Sequence, residues 1–391
     1  MRLDRRLITH FEWLFPLLAL AICSLGELTV YSATHTPGHR GMSPLAARQL
    51  TWLAGGVVGM IAVITFDYRR VERSAWAIYA VVLLVILAVP IVGRVGGGSR
   101  RWITLGPVSI QPSEFMKLAL VIVLARWFSR GPGGARGIRD AVVPLVLTAV
   151  PAVAVLAQPD LGTVAVMGII SVTMLMIGGI RLRWLALMAS PVFVAAPLLW
   201  GHLKVYQQQR ILTFLNPEGD PLGAGYHVIQ SIIAVGSGEF WGKGWLHGTQ
   251  NKLQFLPEQH TDFIFSVFAE EWGFVGGIAL MALYCVLVLR GLVIASRARD
   301  RFGALMVLGV TAIVFWQAVV NVGMTTGILP VVGIPLPFFS YGGSSALMLL
   351  LRMMVIAART RDRFGVLLTL AIGAIFFWQV TVNVGMTTGV L

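Results

Sequence analysis

Apolar runs of about 17–25 residues, the length at which an α-helix crosses the hydrocarbon of a bilayer, recur along almost the whole chain. That recurrence limits what it can fold into. Inside lipid every backbone N–H and C=O must be paired within the protein, so such runs become helices. We place them at residues 13–31, 46–66, 75–92, 113–128, 141–157, 161–179, 184–200, 262–289, 302–325 and 340–358. The predicted fold is all-α: a polytopic bundle of about ten transmembrane helices, with a large loop, residues 201–261, between the seventh and the eighth. Composition agrees. Of the 391 residues 57% are hydrophobic and only 12% charged, against about 25% charged in a soluble domain. The basic lead and apolar run at the N-terminus resemble a signal peptide, but the run is long for one and further spans follow, so it reads as an uncleaved first helix.

The net charge of +13 would suggest nucleic acid in a soluble protein. Here the positions of the arginines give a simpler reason. Arg2, Arg5 and Arg6 precede the first span. Arg69, Arg70 and Arg73 follow the second, Arg126, Arg130, Arg136 and Arg139 the fourth, and Arg181 and Arg183 the sixth. Arg290, Arg297, Arg299 and Arg301 follow the eighth; Arg359, Arg361 and Arg363 follow the tenth. With alternating spans all these sets fall on one side, which the positive-inside rule makes cytoplasmic. The N-terminus is then cytoplasmic, and nucleic acid is excluded as a partner. Cys23 and Cys285 lie in apolar segments and read as small core residues, not as a disulfide or metal ligands.

The opposite, extracytoplasmic side carries the chemistry. It holds "RVGGGSRRWITLGPVSIQPSEFMK", "QPD", the segment 201–261 and "GILPVVGIPLPFFSYGGSS", and all four lysines, Lys117, Lys204, Lys243 and Lys252, lie on or near it. The segment 201–261 is too polar to span, and its amphipathic stretch at 226–235 reads as an interfacial helix of an ordered cap. Ionisable residues at the edge of a span mark sites. Glu114 and Lys117, at i and i+3 after Pro112, share a helix face and can pair. Asp160 either caps the sixth span or lines a site. Arg48 either reaches the headgroups or points inward with Lys117, Arg100 and Arg101 around an anionic group such as a diphosphate. Asp262 stands before the eighth span beside Glu258 and His260, with Glu270 and Glu271 further in; it is either a helix cap, with Thr261 competing, or a functional carboxylate. The spacing of Glu258, His260 and Asp262 fits no zinc motif. "GGGS" and "GSGEFWGKG" read as turns rather than nucleotide loops. An outward cavity lined by carboxylates and cations suits a lipid-linked anionic substrate, and it suits a transporter equally.

One repeat is present: residues 299–329 and 361–391 align without gaps, "RDRFGALMVLGVTAIVFWQAVVNVGMTTGIL" against "RDRFGVLLTLAIGAIFFWQVTVNVGMTTGVL". The chain thus divides into a membrane domain, 1–360, and an added apolar segment, 361–391, that lacks counterparts of Glu114, Asp262 and "PFFSYGG".

The motifs "QPSEFMKLAL", "QPDLGT", "FLNPEGDPLGAGYHVIQSIIAVGSGEFWGKGWLHGTQ", "FLPEQHTDFIFSVFAEEWGFVG" and "GILPVVGIPLPFFSYGGSS" resemble those of the SEDS family of cell-wall glycosyltransferases, over nearly all of residues 13–358. The stretch "GKGWLHGTQNKLQFLPEQHTDFIF" is similar to the elongation branch rather than the division branch of that family. The resemblance implies a bacterial cytoplasmic-membrane enzyme that polymerises lipid II into glycan strands and releases undecaprenyl diphosphate, working with a class B penicillin-binding protein. By motif position it implies that Asp262 is the essential aspartate. Glu114, Lys117 and Asp160 would match the "QPSE…K" and "QPD" residues and Arg48 an outer-face arginine, with Arg100, Arg101, Lys243 and His260 as further binding or supporting residues. The leaving diphosphate needs countercharge from Arg, Lys or a divalent cation, Mg2+ or Mn2+, shared with the substrate. A lipid-linked precursor flippase and a non-catalytic scaffold for the transpeptidase are the rival readings.

Overall fold

The computed structural model describes residues 14–34, 68–96, 99–105, 108–131, 137–181, 183–187, 212–219, 224–252, 261–298 and 300–340, with single positions between them. Arg48, His260, the expected spans at 46–66 and 340–358, most of that at 184–200 and the repeat at 361–391 lie outside the described residues.

Helices dominate. In chain order they are α1 (Leu14–Thr34), α2 (Tyr68–Arg73), α3 (Ala75–Val92), α4 (Pro112–Arg130), α5 (Ile138–Leu156), α6 (Leu161–Ile177), α7 (Ala224–Ser237), α8 (Ile264–Ser296) and α9 (Arg301–Thr325). Helices α3, α5, α8 and α9 are long and apolar enough to cross a membrane. Helix α4 is the centre of the bundle: nearly every residue from Pro112 to Ala125 is buried, its polar ones included. A helix buried all round must pair its charges within the protein. Helix α5 carries Pro144 and Pro151 in its interior. Such prolines are tolerated in membrane helices where side chains and neighbouring helices satisfy the freed backbone, and here the carbonyl that Pro151 frees, that of Leu147 four residues earlier, accepts from the Tyr79 hydroxyl of α3 at 2.8 Å.

The helix ends sort by charge. Arg70, Arg73, Arg126, Arg130, Arg139, Arg290, Arg297 and Arg301 lie at one end of the bundle, in α2 or near the ends of α4, α5, α8 and α9. The other end carries a feature absent from the all-α expectation, a three-stranded antiparallel sheet of β1 (Arg94–Gly96), β2 (Ser99–Leu105) and β3 (Val108–Ile110). Its registers are Val95 opposite Arg100 and Thr104 opposite Ser109. These strands are so short, and so punctuated by glycine, that periodicity over a helical window does not register them.

The larger departure is in α8, expected as one span from residue 262. Gly273 breaks it at φ 66° and ψ −167°, a region open essentially to glycine alone. The chain doubles back there. A methyl group added at Gly277 would stand 3.7 Å from the ring of Phe265, whereas a continuous helix would separate those residues by about 18 Å. The break frees backbone groups that water cannot reach cheaply. Residues 239–244 satisfy them: Lys243 N donates to Glu270 O at 3.0 Å and Gly244 N to Glu271 O at 2.9 Å, while Phe274 N donates to Glu239 O at 2.9 Å and Val275 N to Phe240 O at 3.2 Å. Gly242, at φ +82°, lies so close that a Cβ would fall 2.2 Å from Glu271 O. The "GSGEFWGKG" stretch is thus a set of turns that caps a helical hairpin. Exposed Phe240, Trp241 and Phe274 cluster at its tip.

Candidate functional site

The deep end of that hairpin holds Asp262. Helix α8 begins at Ile264 with Phe263 in the N-cap position, so Asp262 and Thr261 stand one and two residues ahead of the cap. The Asp262 carbonyl accepts from Asn321 Nδ2 at 2.9 Å, and the same nitrogen donates to Ile334 O at 2.7 Å. The Asp262 carboxylate lies against the 330–340 loop: its Oδ2 is 3.3 Å from where a Cβ on Gly333 would stand. A turn further along, Ser266 Oγ and Ser231 Oγ are hydrogen-bonded at 2.7 Å, and Ser231 Oγ donates to Thr325 O at 2.7 Å. The segment 262–266 therefore runs alongside 321–325 of α9, towards the arginine-poor end. Asp262 sits below the hairpin tip rather than at the mouth of a single span.

Around it, the candidate residues are mostly held in pairs. Lys117 Nζ donates to Glu114 Oε1 at 2.6 Å, with both side chains almost completely buried. The i, i+3 expectation holds. Asp160 is the N-cap of α6: its Oδ1 accepts from Thr163 N at 3.1 Å, and its Oδ2 from Gln111 Nε2 and Thr163 Oγ1, each at 2.9 Å. This joins the "QPS" and "QPD" motifs into one structure. Arg101 Nη1 stands 4.0 Å from Asp160 Oδ1. Arg100 is exposed and its Nη1 reaches Pro90 O at 3.4 Å. Lys243 Nζ donates to Glu270 Oε1 at 2.7 Å and to Ser237 Oγ and Thr249 Oγ1 at 2.8 Å. A ring of cations turned together onto one cavity is therefore not what the described residues form. Lys117, Arg101 and Lys243 each face a carboxylate, and for Lys117, almost wholly buried, pairing is what makes the charge stable there. The 330–340 loop links two of these groups: a Cβ on Gly162, next to the Asp160 cap, would be 2.1 Å from Val332 O, one residue from Gly333 and Asp262.

Sequence reasoning missed three participants. Asn321 is a buried amide within a span, which by itself flags a site, but nothing in the sequence couples it to Asp262. His227 of α7 stacks on Phe263 at 6.4 Å between centroids. Glu270 was visible only as half of an acidic doublet in an apolar run. It is fully buried, and its Oε1 also accepts from Thr249 N at 2.8 Å and Gln250 N at 3.1 Å. Among the described residues no group of three or more His, Cys, Asp or Glu side chains stands close enough to hold a metal ion.

What the geometry offers is a carboxylate on a rigidly held segment, at the arginine-poor end of a membrane bundle, walled by a glycine-proline loop. Known proteins share the fold. The chain is 42% identical over 344 residues to the Escherichia coli K12 peptidoglycan glycosyltransferase MrdB, covering 87% of this chain and 91% of that protein. It matches the crystal structure of the Thermus thermophilus rod shape determining protein RodA at TM-score 0.66 and 29% identity, over 90% of this chain and 99% of that one. It also matches, at TM-score 0.74 and 34% identity, over 90% of this chain and 100% of the other, a structure describing coordinated polymerization and crosslinking by a peptidoglycan synthase complex. The family model of the FtsW, RodA and SpoVE cell cycle proteins spans residues 12–357, and the chain belongs to that family.

Proposed function

We propose that this chain is a peptidoglycan glycosyltransferase of cell elongation in which Asp262 is the general base. The family membership carries the activity, since relatives matched over most of their length are peptidoglycan glycosyltransferases and the solved neighbours include a rod shape determining protein. The arginine-rich end is cytoplasmic, so Asp262 opens to the far side of the bacterial cytoplasmic membrane, where flipped lipid II presents its sugars. The observation that supports the base assignment is the placement of Asp262: its backbone is held by Asn321 at the deep end of a broken helix, and its Oδ2 faces Gly333 of the 330–340 loop.

In the reaction the 4-hydroxyl of the acceptor sugar attacks the anomeric carbon of the donor lipid II. The C–O bond to the diphosphate breaks, undecaprenyl diphosphate departs with the bonding pair, and Asp262 takes the hydroxyl proton. Direct displacement inverts the α-linked donor into a β-linked strand. A positioned base contributes typically about 10²–10⁴-fold. The developing diphosphate charge needs cations: Arg100 is exposed for that role, and Arg48 has the sequence position. A divalent cation, Mg2+ or Mn2+, would have to be bound through the diphosphate itself, because the described side chains form no cage, and no step here depends on it. The crosslinking partner is a class B penicillin-binding protein.

The test is a lipid II polymerisation assay with the purified chain. We expect glycan strands from the parent and almost none from Asp262→Asn, which keeps shape and hydrogen bonding but cannot take the proton. A flippase or a scaffold predicts no polymer from the parent at all. Parent-like synthesis by Asp262→Asn refutes the base assignment.

A further inference from the structure

Asn321 is completely buried within α9, and its amide nitrogen spans two separate elements. One bond goes to the carbonyl of Asp262, the residue that carries the carboxylate; the other goes to the carbonyl of Ile334, next to the Gly333 wall that the carboxylate faces. The amide can sit only one way round, because turned over its oxygen would meet two carbonyl oxygens. We propose that Asn321 is the positioning residue of Asp262: it sets the distance between the carboxylate and the 330–340 loop, and so the place where the acceptor hydroxyl meets its base. This rests on the reading of Asp262 as the base.

Asn321 Oδ1 is buried and has no hydrogen-bond partner among the described residues, so what the amide contributes runs through the two bonds of Nδ2, to the carbonyls of Asp262 and Ile334. The second rung of the ladder, where Ser231 joins Ser266 to Thr325, still holds 262–266 against α9 when Asn321 is changed. Loss of the amide should then displace the carboxylate without undoing the fold. Small misplacements are expensive in catalysis: about 1 Å costs up to about 10²-fold.

The experiment measures glycan synthesis from lipid II by the full-length purified chain, with kcat, KM and thermal melting compared among parent, Asn321→Leu and Asp262→Asn. For Asn321→Leu we expect kcat lowered about 10–100-fold, KM for lipid II within about twofold, and a folded protein whose melting temperature is lowered by the loss of a donor to the Asp262 and Ile334 carbonyls. Parent-like kcat, or a raised KM with kcat kept, overturns the proposal. Should Asn321→Leu fail to fold, Asn321→Ser is read against Asn321→Ala. The serine, retaining one donor, is expected to be at least about fivefold faster, and equal rates overturn the proposal. The two readings fail separately. An active Asp262→Asn removes the base itself, whereas an inactive Asp262→Asn beside a fully active Asn321→Leu removes only the role of Asn321.

Discussion

The Glu114–Lys117 pair offers the cleanest energetic test. Its N–O distance is 2.6 Å and its side chains are 6% and 2% exposed, so screening by water and salt is weak. Removing either partner strands a charge in the centre of the bundle, which costs about 3–5 kcal/mol for buried pairs. Removing both takes away the two charges together, and replacing a buried pair by apolar groups of similar volume is often neutral or stabilising. We therefore expect Glu114→Leu and Lys117→Met each to destabilise the protein by about 3–5 kcal/mol, and the double change to cost less than either single one. The coupling energy should exceed about 2 kcal/mol, within the range found for residues of one network. Chemical unfolding in mixed micelles, run on all four proteins, closes the cycle, and glycan synthesis by the double variant shows whether the pair serves the fold or the reaction. Additive losses would refute the reasoning, since they would mean that the two charges do not depend on one another.

Gly273→Ala should damage both stability and glycan synthesis, because its Cβ would fall 2.3 Å from Gly242 N in a conformation already costly for alanine, a strain of about 1–3 kcal/mol before the clash is counted; Gly277→Ala, with 3.7 Å of room, is the control, and equal behaviour of the two in melting and synthesis assays would argue against the hairpin. Removing residues 362–391, which lie beyond the family match at 12–357, should leave polymerisation by the purified chain within about twofold of the parent, as expected for a segment contributing only apolar surface; loss of synthesis by a folded truncated protein would refute this.

Most of the bundle was legible because lipid imposes it. The expected span 75–92 is α3 residue for residue, and 161–179 differs from α6 by two residues at one end. The Glu114–Lys117 pair followed from helical spacing, and the cap role of Asp160 from its place before a span. The hairpin of α8 was hidden because hydrophobicity is blind to direction: the apolar run is continuous through Gly273, and reversal needs partners, residues 239–244, that no local pattern announces. The cationic cavity was overestimated for a related reason. Charge can be counted from sequence, but that Arg101 and Lys243 face carboxylates depends on residues elsewhere in the chain, Asp160 and Glu270. Asn321 was illegible because its meaning lies wholly in two carbonyls, those of residues 262 and 334.

The hairpin carries one more consequence. The segment 264–272 is clamped at both ends, by Asn321 beneath and by the turns at 239–244 above. A helix so held is a spacer, about 13 Å long for nine residues. Residues 264–271 are buried and Trp272 alone is exposed, and the length of the segment is fixed as tightly as its packing. One residue inserted between the clamps would shift Asp262 by about 1.5 Å along the helix axis and turn it by about 100°, facing the carboxylate away from Gly333. In this part of the molecule the number of residues is itself a specification, as binding as the identity of any one of them.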